Sequence, residues 1–128
     1  GVRMSQMQSS GVVASSLTMT GHGDVVKRGY YSFGGKYEQS SIEFHMRDGV
    51  SSIGFRDAQG YYEDVTSIFV SVVGRGATIT LNSCYSSTVA PVFLQLFPDS
   101  TIRLWYGRVW PVDQYGQVLL GLPVRYGK

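Results

Sequence analysis

The sequence predicts an all-β fold, an antiparallel β-sandwich of jelly-roll type with about eight to ten short strands. Three observations lead there. Sixteen Gly and many Ser interrupt the chain at short intervals, and the runs between them are rich in Val, Ile, Thr, Tyr, Phe and Trp. Turn signals recur every 8–12 residues or so. No window of about 12 residues holds an apolar stripe at helical spacing.

Each element follows from local pattern. Val12 to Thr20 alternates Val13, Ser15, Leu17 and Met19 against smaller residues and reads as a strand, closed by a turn at Gly21 to Asp24. Asp24 to Phe33 reads as the next strand, ending at Gly34-Gly35. Ser41 to Arg47 is the clearest strand, with Ile42, Phe44 and Met46 on one face and Glu43, His45 and Arg47 on the other. Asp48-Gly49 is the favoured two-residue hairpin turn, returning as Val50 to Arg56. Asp57 to Gly60 turns again. Val65 to Val73 is a β-branched run, expected as a strand with Gly74-Arg75-Gly76 as its hairpin tip and Ala77 to Leu81 as the return. Val89 to Phe97 is apolar, and Pro91 marks it as an edge or strand-entry position. Thr101 to Trp110 and Gln117 to Tyr126 complete the set. The unbroken Val118-Leu119-Leu120 suggests a central last strand buried on both faces.

The chain has 128 residues, the size of one domain. Residues 1–10 read as a polar lead or stalk end, and 11–128 as a single β-sandwich domain. Charged residues make up only 16% and hydrophobic ones 43%, which argues for a folded domain and against disorder. Low charge also suggests that another subunit covers part of the surface. Net charge is +2 and basic residues nowhere run three together, so no nucleic-acid partner is expected. Arg predominates among the basic residues, a bias typical of interfaces. One cysteine, Cys84, rules out an intrachain disulfide. No apolar run approaches the roughly 20 residues of a membrane-spanning helix, and no membrane insertion is expected.

Chemistry-bearing motifs are sparse. His22, His45 and Cys84 have no metal-ligand spacing, so neither metal nor cofactor is expected. His45, between Glu43 and Arg47, reads as a solvated or hydrogen-bonded surface residue, and His22 as a turn residue. Cys84 with either His is a conceivable dyad, but Asn82-Ser83-Cys84-Tyr85 matches no nucleophile signature, and lone cysteines usually pack as small hydrophobes. Glu43 with Asp48 or Glu63, or Glu63 with Asp64, offers a carboxylate pair of the kind that hydrolyses sugars. Gly74-Arg75-Gly76 lacks the helix that a phosphate cradle needs. No catalytic residue is assigned.

Aromatics rise above this background, at 13% of the chain, and cluster with Arg. The candidate ligand or interface residues are Arg56, Tyr61 and Tyr62 in one group, and Arg103, Trp105, Tyr106, Arg108 and Trp110 in another. Alternation places Arg103 and Trp105 on one strand face, and Leu104, Tyr106, Arg108 and Trp110 on the other. Such residues concentrate binding energy at interfaces and stack on sugar rings.

In texture the chain resembles the C-terminal heads of phage tail fibres, tail needles and adenovirus-type fibres, and equally the tumour-necrosis-factor-type heads. The resemblance is carried by Gly1 to Ser10, by the short hairpins of Ser41 to Gly60, and by the segment Leu104 to Lys128. It implies a non-enzymatic, self-associating, homotrimeric tip domain at a virion surface or outside the cell, binding a host-surface receptor or glycan. The alternatives are a small carbohydrate-active enzyme with a carboxylate pair, and a structural assembly module with no ligand.

Overall fold

A computed structural model of the chain describes residues 13–34, 40–109 and 122–128, together with Gln6 and Gly11. In chain order the strands are β1 (Ala14–Thr20), β2 (Gly23–Val26), β3 (Tyr30–Gly34), β4 (Ser41–Arg47), β5 (Val50–Arg56), β6 (Tyr62–Asp64), β7 (Val73–Asn82), β8 (Thr101–Tyr106) and β9 (Leu122–Gly127). Among the described residues two helices, α1 (Thr66–Val72) and α2 (Ala90–Leu96), interrupt them, α2 being preceded by a 3-10 turn at Ser86–Val89. The fold is mostly β and holds two sheets.

The first sheet is a meander in sequence order, β2-β3-β4-β5-β6, antiparallel throughout. Its centre is the β4–β5 hairpin that the sequence predicts. Asp48 and Gly49 both have positive φ, 52° and 76°, as the tight turn of a right-twisted hairpin requires. Phe44 and Ile53 face each other across it and are fully buried. Gln95 of α2 holds the turn end from outside. Its Oε1 accepts the Ser51 N–H and its Nε2 donates to the Gly49 carbonyl, both at 2.7 Å.

The second sheet has the order β1-β7-β8-β9. Here the antiparallel expectation fails: β7 is parallel to both β1 and β8, and only β8–β9 is antiparallel. Helical crossovers between the strands make parallel pairing possible. Gly74-Arg75-Gly76 is not a hairpin tip. It lies within β7, where the register with β1 jumps from Ala14↔Val73 to Ser16↔Thr78, and Gly76 has φ 74°. A glycine with positive φ absorbs such a bulge without breaking the strand.

Two expected strands are helices. Val65, Ile68, Phe69 and Val72 turn inward, a spacing of i, i+3, i+4 and i+7 that suits a helix and no strand. Val89, Val92, Phe93 and Leu96 repeat it in α2, where Pro91 stands in the first turn and needs no N–H partner. Each stripe is only eight residues long, so it is overwhelmed by β-branched composition in a longer window.

The last strand is also corrected. Among the described residues β9 is an edge strand, largely exposed, rather than a central one; residues 117–121 of the expected strand lie outside the described residues, as does the polar lead apart from Gln6.

One apolar cluster joins both sheets and both helices. Phe93 of α2 packs edge-on against Phe44 with ring centroids 5.1 Å apart, while Ile79, Leu81, Ile102 and Leu104 line the other sheet. Tyr31 ties the sheets at one end: its hydroxyl lies 2.7 Å from both Ser83 Oγ and the Cys84 carbonyl. With one proton, Tyr31 donates to the carbonyl, which can only accept, and receives the Ser83 hydroxyl.

Candidate functional site

The outer face of the five-stranded sheet is where the sequence alternation of β4 matters. Glu43, His45 and Arg47 point away from the core, and the register places Gly54 opposite Glu43 and Ser52 opposite His45. On β6, Asp64 faces Gly54 and Tyr62 faces Arg56. Sequence alone makes this a solvated surface, but Glu43 is 1% exposed and His45 7%. The correction has a physical cause. Tyr30 stacks on the His45 ring with centroids 4.5 Å apart, Tyr62 meets it edge-on at 5.9 Å, and together with Arg56 they close over the carboxylate.

Glu43 is bound on both oxygens. Arg56 Nε donates to Oε2 at 2.5 Å and Nη2 to Oε1 at 3.3 Å, and His45 Nε2 lies 2.9 Å from Oε1. Burial by itself drives the Glu43 pKa up, yet the hydrogen bonds from Arg56 and His45 outweigh it and hold the carboxyl below its ordinary range. Arg56 Nη1 also donates to the Gly60 carbonyl at 3.0 Å. Each of the three guanidinium nitrogens thus has an acceptor, and Tyr62 lies 5.1 Å from the group in a cation–π contact.

Beside this cluster runs a groove of about 420 Å³ lined by His45, Arg47, Ser52, Arg56, Tyr62 and Asp64. It offers a cation without an ion-pair partner among the described residues at Arg47, a hydroxyl at Ser52 and a carboxylate at Asp64. Tyr62 is the aromatic wall. It is an arrangement of donors, acceptors and two rings, His45 and Tyr62.

The proposed carboxylate pairs do not form. Glu63 pairs with Phe55 and so lies on the core side of β6, opposite to Glu43 and to Asp64. Asp48 is in the hairpin turn, roughly 15 Å along the strand from Glu43. No Cys–His45 dyad forms either: Cys84 Sγ meets the Val109 N–H and carbonyl at 3.5 Å each, and His45 is engaged by Glu43. Among the described residues no group of three His, Cys, Asp or Glu is placed to hold a metal, and no helix is long and apolar enough to cross a membrane.

The eight candidate residues separate into several places. Arg56 and Tyr62 line the groove, and Tyr61 stands next to it, 76% exposed. Arg103 and Trp105 lie on the outer face of the four-stranded sheet. Trp105 is half-buried and fixed there, its indole N–H donating to Asn82 Oδ1 and its backbone N–H to Ser86 Oγ, both at 2.8 Å. Tyr106 is on the opposite side of β8 and exposed, Arg108 follows the strand, and Trp110 lies outside the described residues. Sequence reading missed Tyr30, Ser52 and Asp64 as neighbours of one site, because only the strand register brings them together.

No protein-family model matches this chain, and no curated protein or solved structure is significantly similar to it.

Proposed function

We propose that the chain is a non-enzymatic binding domain whose groove beside Tyr62 takes a sugar of a host-surface glycan. The observation that carries this reading is the fixed Arg56–Glu43 pair holding Tyr62 across the sheet. Such a pair leaves the aromatic wall ordered before the ligand arrives, which lowers the entropic cost of binding. Tyr62 supplies a face for the C–H side of a pyranose, while Ser52, Asp64 and Arg47 offer partners for its hydroxyl groups. Glu43 is held ionised and fully engaged, so it suits orienting Arg56 rather than donating a proton.

An array of neutral and acidic glycans, followed by NMR titration of the best hit, tests this. Binding should perturb Ser52, Tyr62 and Asp64 amides and be lost in Tyr62→Ala and Ser52→Ala. Binding unchanged in both variants would refute the site; silence at millimolar sugar would refute the ligand class.

Self-association as a virion fibre tip belongs to the same reading. It is supported by the exposed cross-strand pair Tyr106 and Leu122, 66% and 61% exposed at the end of β8–β9, which asks for a covering subunit. Light scattering at a few micromolar, and again tenfold diluted, should give a stable mass of three chains. A monomer would remove the trimeric head.

A further inference from the structure

On β1 and β7 of the four-stranded sheet the side chains that face away from the core are mostly hydroxylic. Leu17, Met19, Ile79, Leu81, Ile102, Leu104 and Tyr126 turn inward, so by alternation Ser16, Thr18, Thr78, Thr80 and Thr101 face out. One row across all four strands adds charge to these hydroxyls. It runs Thr18, Thr80, Arg103, Arg125, each directly opposite the next. Arg103 and Arg125 are both exposed, and directly opposed residues have Cβ atoms about 5 Å apart.

Like charges in that relation destabilise a sheet. Among the described side chains none offsets this pair. Neither Arg forms an ion pair among the described residues. Asp99, at the start of β8, is already shared by Arg75 at 3.1 Å and Lys128 at 3.4 Å. The outward positions of the strands, from Ser16 to Gly127, hold no carboxylate. Arg125 donates one N–H to the Lys128 main-chain oxygen, which steadies the side chain. Trp105, fixed through Asn82, is the next outward residue along β8 and faces Pro123 on β9.

We propose that Arg103 and Arg125 form a second binding site, separate from the groove beside Tyr62, for an oxyanion carried on an acidic sugar chain. Two guanidinium groups side by side match a sulfate or carboxylate with paired N–H donors. The threonine hydroxyls of the same row extend the set of donors and acceptors, and the Trp105 ring beside them suits a pyranose. A sugar chain is favoured over nucleic acid because the face is hydroxyl-rich and carries two cations rather than a basic stripe.

Isothermal titration with a heparin-derived hexasaccharide at low salt tests the site. Arg103→Ala and Arg125→Ala should each weaken binding roughly tenfold, and each should reduce the slope of log affinity against log salt by about one. Arg125→Glu separates function from structure. It should abolish binding and yet raise the melting temperature by roughly 2–4 °C, because it converts a repulsive pair into a cross-strand ion pair. Unchanged affinity in the Ala variants, or a lower melting temperature in Arg125→Glu, would overturn the proposal. Equal binding of a neutral oligosaccharide would overturn the anion, and tighter binding of single-stranded DNA of equal charge would overturn the sugar chain. None of these outcomes depends on the Tyr62 groove, since Tyr62→Ala should leave heparin binding intact.

Discussion

Tyr62 lies directly against Gly54: a Cβ at position 54 would stand 2.1 Å from two of its ring carbons. The glycine is therefore part of the groove, since its bare backbone is the surface on which the aromatic wall rests. A ring over a strand glycine also restores the packing that the missing side chain forfeits. Gly54→Ala should displace Tyr62, cost about 1–3 kcal/mol through overpacking, and expose Glu43. Urea denaturation reads the first effect and the amide shift of His45 the second. A variant of wild-type stability would show that the ring has room to move aside.

The Glu43 cluster sets an acid limit to stability. The folded chain holds this carboxyl below its ordinary range, so the unfolded chain binds its proton more readily. The stabilisation is complete above the unfolded value of about 4.3 and is lost as pH falls through the lower folded value. Glu43→Gln should be less stable at pH 7 by about 2 kcal/mol, having left His45 and Arg56 poorly partnered. Its deficit against the parent should narrow below pH 4. A deficit constant with pH would assign the loss to shape and not to charge.

Tyr31 sets the opposite limit. Burial raises its phenol well above the ordinary range, against the lowering effect of the Ser83 hydrogen bond. The neutral form is what folds, so the contribution is present below about pH 10 and disappears as pH rises beyond the unfolded value. Tyr31→Phe should cost about 1–3 kcal/mol at neutral pH by stranding the Cys84 carbonyl and the Ser83 hydroxyl, and should flatten the alkaline fall in the denaturation midpoint. Gly23 belongs to the same joint. A Cβ there would sit 1.9 Å from the Tyr31 hydroxyl and 2.0 Å from Ser83 Oγ, so Gly23→Ala should destabilise at least as much.

Gln95 acts as a polar clip between α2 and the hairpin turn. Gln95→Ala should cost about 1 kcal/mol and speed hydrogen exchange of the Ser51 amide, whose only described acceptor is Gln95 Oε1. Exchange at wild-type rate would mean that water takes over that bond without loss.

Much of this was legible in the residues and part of it was not, for definite reasons. The β4–β5 hairpin announces itself by alternation on both sides of Asp48-Gly49, because each strand has one buried and one outward face. Residues 65–73 and 89–97 mislead because Val, Ile and Phe favour strands locally, while the eight-residue helical stripe that decides the outcome gains its energy only from packing against both sheets. Gly74 to Gly76 mislead for another reason, since a bulge and a hairpin tip call for the same glycines. Arg56 and Tyr62 could be singled out by type. Their partner Glu43 could not, as nothing in its neighbourhood in sequence says that Tyr30 and Tyr62 will seal it from water.

The two sheets differ in how far along the chain their strands must travel. The meander uses one continuous stretch, Gly23 to Asp64, whereas β1 waits for β7, with Thr20 paired to Asn82. Contacts between near neighbours form early and distant ones late. On a growing chain the whole meander is finished before β7 exists, and Leu17 and Met19 have no partner strand until then. Folding kinetics should reflect this, with substitutions at Ile53 slowing folding and those at Leu17 mainly hastening unfolding. The vulnerable moment in the life of this protein is thus the interval in which its first strand is still looking for its place.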